Sequence, residues 1–213
     1  MTDLADIRDK LFCALLSDVM DALGHMNQAL LPRIRPLDDT KVMVGRARTA
    51  LFADVYHVVP GENPYALEIA LIDSLLPGEI PVFSCGATGR IAPWGELLST
   101  ASHARGAAGA LMDGLVRDIR AIRAMGFPVF HGGIAPAGCV KERVLSVNEP
   151  VTIGGVEIAP GDQVVADGDA ILIVAAADWP AVEAGAQEIR DAEDELRIAL
   201  NQGQHLADLL DLP

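Results

Sequence analysis

The amino-acid sequence predicts a single α+β domain, spanning residues 1–213, built around a mixed β-sheet. In the first two thirds of the chain, short apolar runs alternate with stretches of helical periodicity, a pattern typical of parallel strands joined by crossover helices. After Gly138, apolar runs follow one another between glycine and proline pairs, which indicates antiparallel strands and tight turns. The 213 residues are 51% hydrophobic, enough for one substantial core.

The N-terminal segment predicts two helices and a strand. Thr2 is a suitable cap for a first helix, because the apolar residues that follow it recur at helical spacing. Ser17-Asp18 predicts the start of a second helix, and Gly24 predicts its end. Residues 41–53 are rich in Val, Ala and Thr, so we expect a strand there.

The middle of the chain predicts repeated strand–helix units. Asn63-Pro64 combines an Asn cap with Pro at the first helical position, and it indicates a helix to about Leu76 that Pro77-Gly78 ends. Beyond it we expect, in chain order, a buried strand at 80–84, a helix at 96–104, a strand at 109–112, a helix at 116–125 that Gly126 ends, and a strand at 128–130.

The last third predicts a hairpin, two more strands and a long helix. Gly154-Gly155 separates two apolar triplets within residues 151–158, as in a two-residue hairpin turn. Further apolar runs at 164–166 and 170–174 are flanked by turn residues and predict strands. Residues 180–202 predict a final helix.

Composition excludes several classes of function. The chain carries 30 acidic and 16 basic residues, a net charge of −14, and no Lys/Arg cluster, so we expect no nucleic-acid partner. No run approaches the roughly 20 apolar residues of a membrane span, and because the first eleven residues carry several charges we expect no secretory signal there. Cys13, Cys85 and Cys139 match no metal spacing and fit a reducing compartment, so we expect a cytoplasmic protein.

The densest polar group in an apolar stretch lies at residues 113–118. A predicted strand ends here and a helix follows, which is where open α/β folds build binding crevices. Arg117 offers a planar fork that suits a carboxylate, and Asp118 is a hard oxygen ligand that suits Mg²⁺ or Mn²⁺. A second interpretation stays open, in which Asp118 caps the helix and Arg117 makes a surface ion pair.

A second candidate is the turn Trp94–Leu98. A helix that starts at this turn exposes free backbone N–H groups and its positive dipole end, which together suit a carboxylate. Glu96 could also do no more than favour the helix dipole. Because one strand–helix unit fills about the 20 positions between Glu96 and Arg117, both could lie at one edge of the sheet.

The five histidines have no paired ligand spacing, which argues against a zinc site. His131 follows a predicted strand and is the one histidine we keep as a pocket candidate. The pairs Gly132-Gly133 and Gly154-Gly155 lack the Lys-Ser/Thr of a phosphate loop.

At these residues the sequence resembles the class II 4-hydroxy-4-methyl-2-oxoglutarate / 4-carboxy-4-hydroxy-2-oxoadipate aldolases, which share a fold with regulator of ribonuclease activity A. The family pattern of an acidic residue, twenty intervening positions and Arg-Asp matches Glu96, Arg117 and Asp118. The resemblance implies an α/β/β sandwich like that of the swivelling phosphohistidine domain. It extends over nearly the whole chain, through Ser17–Gly24, Val44–Ala47, Trp94–Leu98, Asp113–Asp118, Gly126–Phe130 and Pro160–Asp167.

The resemblance also implies roles for single residues. Asp118 would be the direct ligand of Mg²⁺ or Mn²⁺, and Arg117 would bind the substrate and balance the developing enolate. Glu96 would contact the metal-bound waters, together with Glu193 from a neighbouring subunit of a homotrimer or a hexamer of two trimers. The substrate's carboxylate would be held by backbone N–H groups of the turn, at Gly95, Glu96, Leu97 and Leu98.

Two departures concern the outer part of the substrate site. After Phe130 the family commonly has Ala-Arg-Gly, whereas this chain has His131-Gly132-Gly133. The loop at residues 86–93 lacks the Asp or Asn that the family pattern leads us to expect after the strand.

These residues together predict a lyase that releases pyruvate from a small 4-hydroxy-2-oxo acid and also decarboxylates oxaloacetate, since both reactions place negative charge on a pyruvate enolate. An aldolase that forms a Schiff base needs a desolvated lysine. Lys10 and Lys41 lie in amphipathic or polar contexts, which leaves Lys141.

Two other functions are compatible with the fold. A non-enzymatic protein that binds and regulates a ribonuclease is the alternative, and the acidic residue Glu96 favours the enzyme over it. A quinone methyltransferase is disfavoured, because no Gly-rich cofactor loop follows the first strand.

Overall fold

The computed structural model describes residues 12–54, 61, 63–86, 92–138 and 142–210. Its helices are α1 (Cys13–Ala22), α2 (Ala66–Asp73), α3 (Glu96–Ala104), α4 (Ile119–Met125), α5 (Trp179–Asn201) and α6 (Leu206–Leu209). Its strands are β1 (Arg35–Pro36), β2 (Met43–Asp54), β3 (Glu79–Ser84), β4 (Ala110–Met112), β5 (Leu115–Val116), β6 (Val129–His131), β7 (Gly133–Ile134), β8 (Glu142–Val147), β9 (Val151–Ile153), β10 (Val156–Ile158), β11 (Gln163–Ala166) and β12 (Ile171–Val174).

The central sheet is mixed, as predicted. Its strands lie in the order β1-β6-β4-β3-β2-β11-β12, and β8 pairs with β2 off this path. The neighbours β2–β3, β3–β4 and β4–β6 are parallel, whereas β11 and β8 pair antiparallel to β2. Helices α2, α3 and α4 lie between successive parallel strands along the chain, so the prediction of crossover helices is confirmed.

Side-chain alternation along the strands builds three layers. On β3, Ile80 and Val82 pack in one apolar cluster with the β9–β10 hairpin, whereas Phe83 packs in another with α2 and α4. Leu172 on β12 belongs to a third cluster, with α1 and α5. Helices therefore cover one face of the sheet and the hairpin covers the other, which confirms the α/β/β arrangement of a single α+β domain.

Several predicted elements agree closely with the structure. Helix α3 has the predicted bounds, and β3 is buried along its whole length. Gly126 ends α4 in a left-handed conformation, with φ of 71°. The hairpin β9–β10 turns at the two predicted glycines. No described helix has the length and the apolar character needed to cross a membrane.

The start of α1 corrects one prediction. Ser17-Asp18 lies inside the helix instead of starting it, and the helix begins at Cys13. The backbone N–H of Cys13 donates to Oδ2 of Asp167 at 2.8 Å, so a residue 154 positions away satisfies the helix start. Residues 2–11 of the helix predicted from Thr2 lie outside the described residues; Phe12 is extended, with φ of −118°, so the predicted helix does not continue through it to Leu15, which belongs to α1.

Two other helix starts also differ from prediction, and the strands β1, β5, β7 and β8 were not predicted. Val116 belongs to β5, which pairs with β7, so α4 begins at Ile119 instead of Val116. The side chain of Asn63 accepts a hydrogen bond from the N–H of Tyr65 at 3.0 Å, and this turn places the first helical residue at Ala66. Strand β8 mixes polar and apolar residues without strict alternation, and it is defined by its pairing with β2.

Candidate functional site

A cleft of about 590 Å³ lies where the two motifs singled out from the sequence meet. Arg117 and Asp118, between β5 and α4, form one part of its wall, and the start of α3 forms another. This volume is in the range of small-molecule sites. The described residues that line it are Tyr65, Glu68, Ile69, Ala92, Pro93, Gly95, Leu97, Leu98, Arg117, Asp118 and Gly138.

Trp94 anchors the turn before α3 through its buried ring and its hydrogen bonds. It is fully buried and meets Phe83 edge-to-face, with ring centroids 5.3 Å apart. Its Nε1 donates to Oγ of Ser99 at 2.8 Å, and that hydroxyl donates to the carbonyl of Gly95 at 3.0 Å. The carbonyl of Trp94 accepts from the N–H of Arg117 at 3.0 Å, so the turn and Arg117 share one backbone connection.

A glycine fits at position 95 because a side chain would crowd Asp118 and Arg117, and not because of its backbone conformation. Its φ of −158° is extended, which any residue can adopt. A Cβ at this position would lie 2.7 Å from Oδ2 of Asp118 and 3.2 Å from the Arg117 side chain. The missing side chain lets the N–H of Glu96 donate to Oδ2 of Asp118 at 3.3 Å.

Asp118 has an unusual backbone conformation at the cleft. Its φ of 59° and ψ of 29° are left-handed, which is uncommon for any residue with a side chain and concentrates at functional sites. It stands at the N-cap of α4, yet its side chain makes no capping hydrogen bond. The carboxylate contacts the start of α3 and Arg117 instead, which disfavours the interpretation of Asp118 as a helix cap.

Arg117 pairs with its neighbour in a solvent-accessible geometry. Its Nε lies 3.6 Å from Oδ2 of Asp118, and the two side chains are 45% and 48% exposed. A Cβ on Gly138 would lie 2.7 Å from Nη1 of Arg117, so a second glycine leaves room for the guanidinium. An exposed pair of this kind contributes only about 0–1 kcal/mol to stability, and the guanidinium stays accessible to a ligand.

The Glu96 carboxylate turns along its own helix. Its Oε1 accepts a hydrogen bond from Oγ1 of Thr100 at 2.9 Å. The described lining of the cleft includes its neighbours Gly95, Leu97 and Leu98 but not Glu96. Glu96 takes part through its backbone N–H, which donates to Asp118. Leu97 is 77% exposed, so its side chain lies at the mouth of the cleft.

Glu193 lies on α5 and does not reach the cleft of its own chain. Its carboxylate pairs with Arg197 one turn later, at 2.7 Å. The described lining of the cleft contains no residue of α5. Contact with a neighbouring subunit's cleft stays a prediction.

The donor set suits a hydrated hard cation better than a closed metal cage. Within the described ranges, no group of three or more His, Cys, Asp or Glu residues could hold a metal ion. Asp118 offers one half-exposed carboxylate that faces the cleft. Mg²⁺ keeps several waters and typically takes one or two carboxylates, so it fits this environment, whereas a structural zinc site would not.

His131 and Asp113 both lie outside the described lining of the cleft. Burial lowers the pKa of His131, at the end of β6. Oδ1 of Asp113 accepts from the N–H of Cys85 at 2.6 Å, and Arg33 approaches its other oxygen at 4.0 Å. The proposed pocket role of His131 therefore gains no support from its position.

Glu68 is the cleft residue that the sequence interpretation missed. It lies in the first turn of α2 and is only 6% exposed. Burial raises the pKa of its carboxyl group to about 7. The sequence contained a feature that could have identified it, because Glu68 is the only charged residue between Ala66 and Ile72.

Comparison with known proteins agrees with this architecture. The sequence model of the family described as "RraA-like: Aldolase/RraA" matches residues 13–173. A protein of Halalkalibacterium halodurans named "Putative 4-hydroxy-4-methyl-2-oxoglutarate aldolase" is 32% identical over 75% of this chain and 70% of its own. An uncharacterized protein of Methanocaldococcus jannaschii is 32% identical over 57% of this chain, and the match spans 58% of that protein.

A solved structure supports the same fold. Streptomyces coelicolor RraAS2, described as an unusual member of the RNase ES inhibitor RraA protein family, superposes with a TM-score of 0.79. The two are 23% identical, and the match covers 93% of this chain and 96% of the other. The family match over most of the chain, the relative of Halalkalibacterium halodurans and the shared architecture lead to one conclusion: this protein belongs to the RraA-like (Aldolase/RraA) family.

Proposed function

We propose that this protein is a divalent-metal-dependent lyase that cleaves the C3–C4 bond of a small 4-hydroxy-2-oxo acid and releases pyruvate. The observation that carries the proposal is the contact between the start of α3 and the Arg117-Asp118 pair. Backbone amides, a guanidinium and a carboxylate converge there on one cleft. Aldolase names among the relatives support a lyase at the level of the family.

The start of α3 is suited to the carboxylate of the substrate. The first N–H groups of a helix have no partner within it, and the helix dipole favours an anion there. Leu97 and Leu98 line the cleft within this first turn. Their backbone N–H groups are the proposed contacts for the carboxylate of the pyruvate half.

Arg117 is suited to the charge that develops during cleavage. When C3–C4 breaks, its electron pair becomes the enolate of pyruvate. The backbone N–H of Arg117 is fixed by the Trp94 carbonyl, and the absence of a side chain at Gly138 leaves room for the guanidinium, which can stabilise that charge. A planar fork can also contact two substrate oxygens at once.

Asp118 is the residue that would hold the Mg²⁺ or Mn²⁺ ion, with water completing the coordination. Such an ion supplies Lewis-acid stabilisation of an oxo acid. Glu96 is proposed to hold a water beside Asp118 and to move a proton, which requires its carboxylate to leave Thr100. Lys41 lies outside the described cleft lining, and Lys10 and Lys141 lie outside the described residues.

We extend the proposal to oxaloacetate decarboxylation and to self-association. Decarboxylation of oxaloacetate leaves the same enolate, so the same residues serve both reactions. A homotrimer, or a hexamer of two trimers, would bring Glu193 to a neighbour's cleft. Exposed apolar residues such as Ile198 and Leu206 at the C-terminal end support association, and light scattering that gives a monomer at micromolar concentration would contradict it.

A pyruvate-release assay tests the proposed function. The protein is incubated with a panel of 4-hydroxy-2-oxo acids and with oxaloacetate, after chelation and then with Mg²⁺ or Mn²⁺ added. We expect pyruvate only when a divalent ion is present. No pyruvate from any compound with either ion would contradict the proposal and favour the second candidate, a regulator that binds a ribonuclease, to which the fold of RraAS2 points.

A further inference from the structure

The wall of the cleft contributed by α2 carries a buried acid. Glu68 lies between Tyr65 and Ile69, and all three line the same cleft as Arg117 and Asp118. Helix α2 packs against α3 and β8, and Glu68 is 6% exposed. The side chain is therefore removed from bulk water while it borders the space where a substrate would lie.

Other buried acids of the described chain have structural partners. Glu79 lies 3.3 Å from Arg48 and accepts from the N–H of Leu76 at 2.8 Å. Asp162 accepts from two backbone N–H groups, those of Ala159 and Ala176. Such partners offset the desolvation free energy of a buried charge.

Glu68 has no comparable contact. Among the described residues, no hydrogen bond or ion pair engages its carboxyl group. Burial raises its pKa to about 7, and no charged group of a described residue opposes the shift. Both protonation states are then populated near neutral pH, a property typical of catalytic acids and bases.

Cleavage of a 4-hydroxy-2-oxo acid needs a base at C4. The hydroxyl there must lose its proton as C3–C4 breaks, and the start of α3 and Arg117 are already assigned to the pyruvate half. Asp118 is assigned to the ion, and a guanidinium cannot accept a proton. Glu68 is the remaining carboxyl group in the described lining.

We propose that Glu68 is the catalytic base of the cleavage step and removes the proton of the C4 hydroxyl. The proton passes to the Glu68 carboxylate, the C4–O bond becomes a carbonyl, and the electron pair of C3–C4 stays on C3 as the pyruvate enolate. A proton from water then reaches C3 to give pyruvate, and Glu68 returns its own proton to solvent. This role rests on the proposed lyase function.

The test compares two reactions of the Glu68→Gln variant in the presence of Mg²⁺. One is pyruvate release from the 4-hydroxy-2-oxo acid that the parent cleaves fastest. The other is exchange of solvent deuterium into the methyl group of pyruvate, which involves no C4 hydroxyl. We expect cleavage to fall about 10²-fold or more, the usual scale for acid–base assistance, and exchange to stay within about twofold of the parent.

Asp73→Asn is the matched control. It neutralises a carboxylate on the same helix, but Asp73 is exposed and pairs with Arg105 outside the cleft, so both reactions should be unchanged. Glu68→Asp keeps a carboxyl group and should cleave faster than Glu68→Gln. Thermal unfolding of each variant verifies that the fold is retained.

The outcomes separate this inference from the lyase proposal. A parent protein that neither cleaves nor exchanges would overturn the lyase function itself. An active parent whose Glu68→Gln variant cleaves at the parental rate would overturn the role of Glu68 alone. An equal fall in cleavage and exchange would also overturn it, because Glu68 would then shape the cleft instead of serving as the base.

Discussion

The backbone N–H of Glu96 lies 3.3 Å from Oδ2 of Asp118, although the two residues are 22 positions apart in the chain. This contact joins the start of one helix to the residue before the next. It depends on Gly95, because any side chain there would meet the Asp118 carboxylate. The contact therefore joins the turn Trp94–Leu98 and the Arg117-Asp118 pair in one site.

Asp118→Ala should abolish turnover and divalent-ion binding. Asp118 is the carboxylate assigned to direct contact with the ion, and the other carboxyl group of the described lining, Glu68, is buried and assigned to proton transfer. Calorimetric titration with Mn²⁺ measures binding, and pyruvate release measures turnover. The exposed residue Asp208 provides the control, since Asp208→Ala should change neither. Full parental activity after exhaustive chelation would show that the ion is not needed.

Arg117→Lys should lose most activity although the positive charge is kept. A lysine presents a point charge on a flexible stem and cannot reproduce the planar fork that lies beside Asp118 and Gly138. We expect kcat/KM to fall by about 10²-fold, similar to the loss of one oxyanion-stabilising donor. Steady-state kinetics measures this, and a lysine variant with normal kinetics would place the substrate site elsewhere.

Glu96→Gln should slow proton transfer while it preserves binding. The amides at the start of α3 and the Asp118 carboxylate are unchanged, so pyruvate and the ion should still bind. We expect turnover to fall by about 10²-fold or more, because a neutral amide cannot accept the proton. Deuterium exchange into pyruvate isolates this step. Equal exchange rates in variant and parent would mean that Glu96 only favours the helix dipole.

Gly95→Ala should impair the site more than the fold. The added methyl would lie 2.7 Å from Oδ2 of Asp118, so the carboxylate or the turn must move. We expect at least about a tenfold loss of kcat/KM, since small misplacements at a reacting centre are costly. Gly168→Ala is the control, because its Cβ would meet only the Asp39 carbonyl, at 3.3 Å. Parental kinetics in Gly95→Ala would argue that Asp118 needs no fixed position.

Glu68→Gln should stabilise the protein at high pH relative to the parent. The pKa of Glu68 is about 7 when folded and ordinarily 4.5, so the folded state binds the proton more tightly. The parent therefore loses stability as pH rises from about 5 through 7, and the glutamine variant does not.

We expect the free energy of unfolding of Glu68→Gln to exceed that of the parent by on the order of 1–3 kcal/mol at pH 8, with a smaller difference at pH 5. Urea unfolding at the two pH values measures both differences. A difference independent of pH would show that Glu68 does not titrate in this range.

Local sequence signals predicted much of the fold. The bounds of α3, the turn at Gly154-Gly155 and the end of α4 at Gly126 agree with the structure, because caps, glycine turns and apolar periodicity act over a few residues. The spacing between Glu96 and Arg117 also predicted that both could lie at one edge of the sheet, since a strand–helix unit has a nearly constant length.

Other features depend on residues that are distant in the chain. Helix α1 starts at Cys13 because Asp167 satisfies its first N–H, and β8 exists through its pairing with β2. The left-handed conformation of Asp118 and the burial of Glu68 arise only after α2, α3 and β5 have packed around the cleft.

The difference between the features that were predicted and those that were not has a physical reason. The order of the elements and the residue types available for chemistry follow from local propensity and side-chain structure, which the sequence contains. The environment of each ionisable group depends on how distant segments pack together. Burial raises the pKa of Glu68 to about 7, whereas Asp118 and Arg117 stay half-exposed, and these differences set which group would hold an ion and which would take a proton.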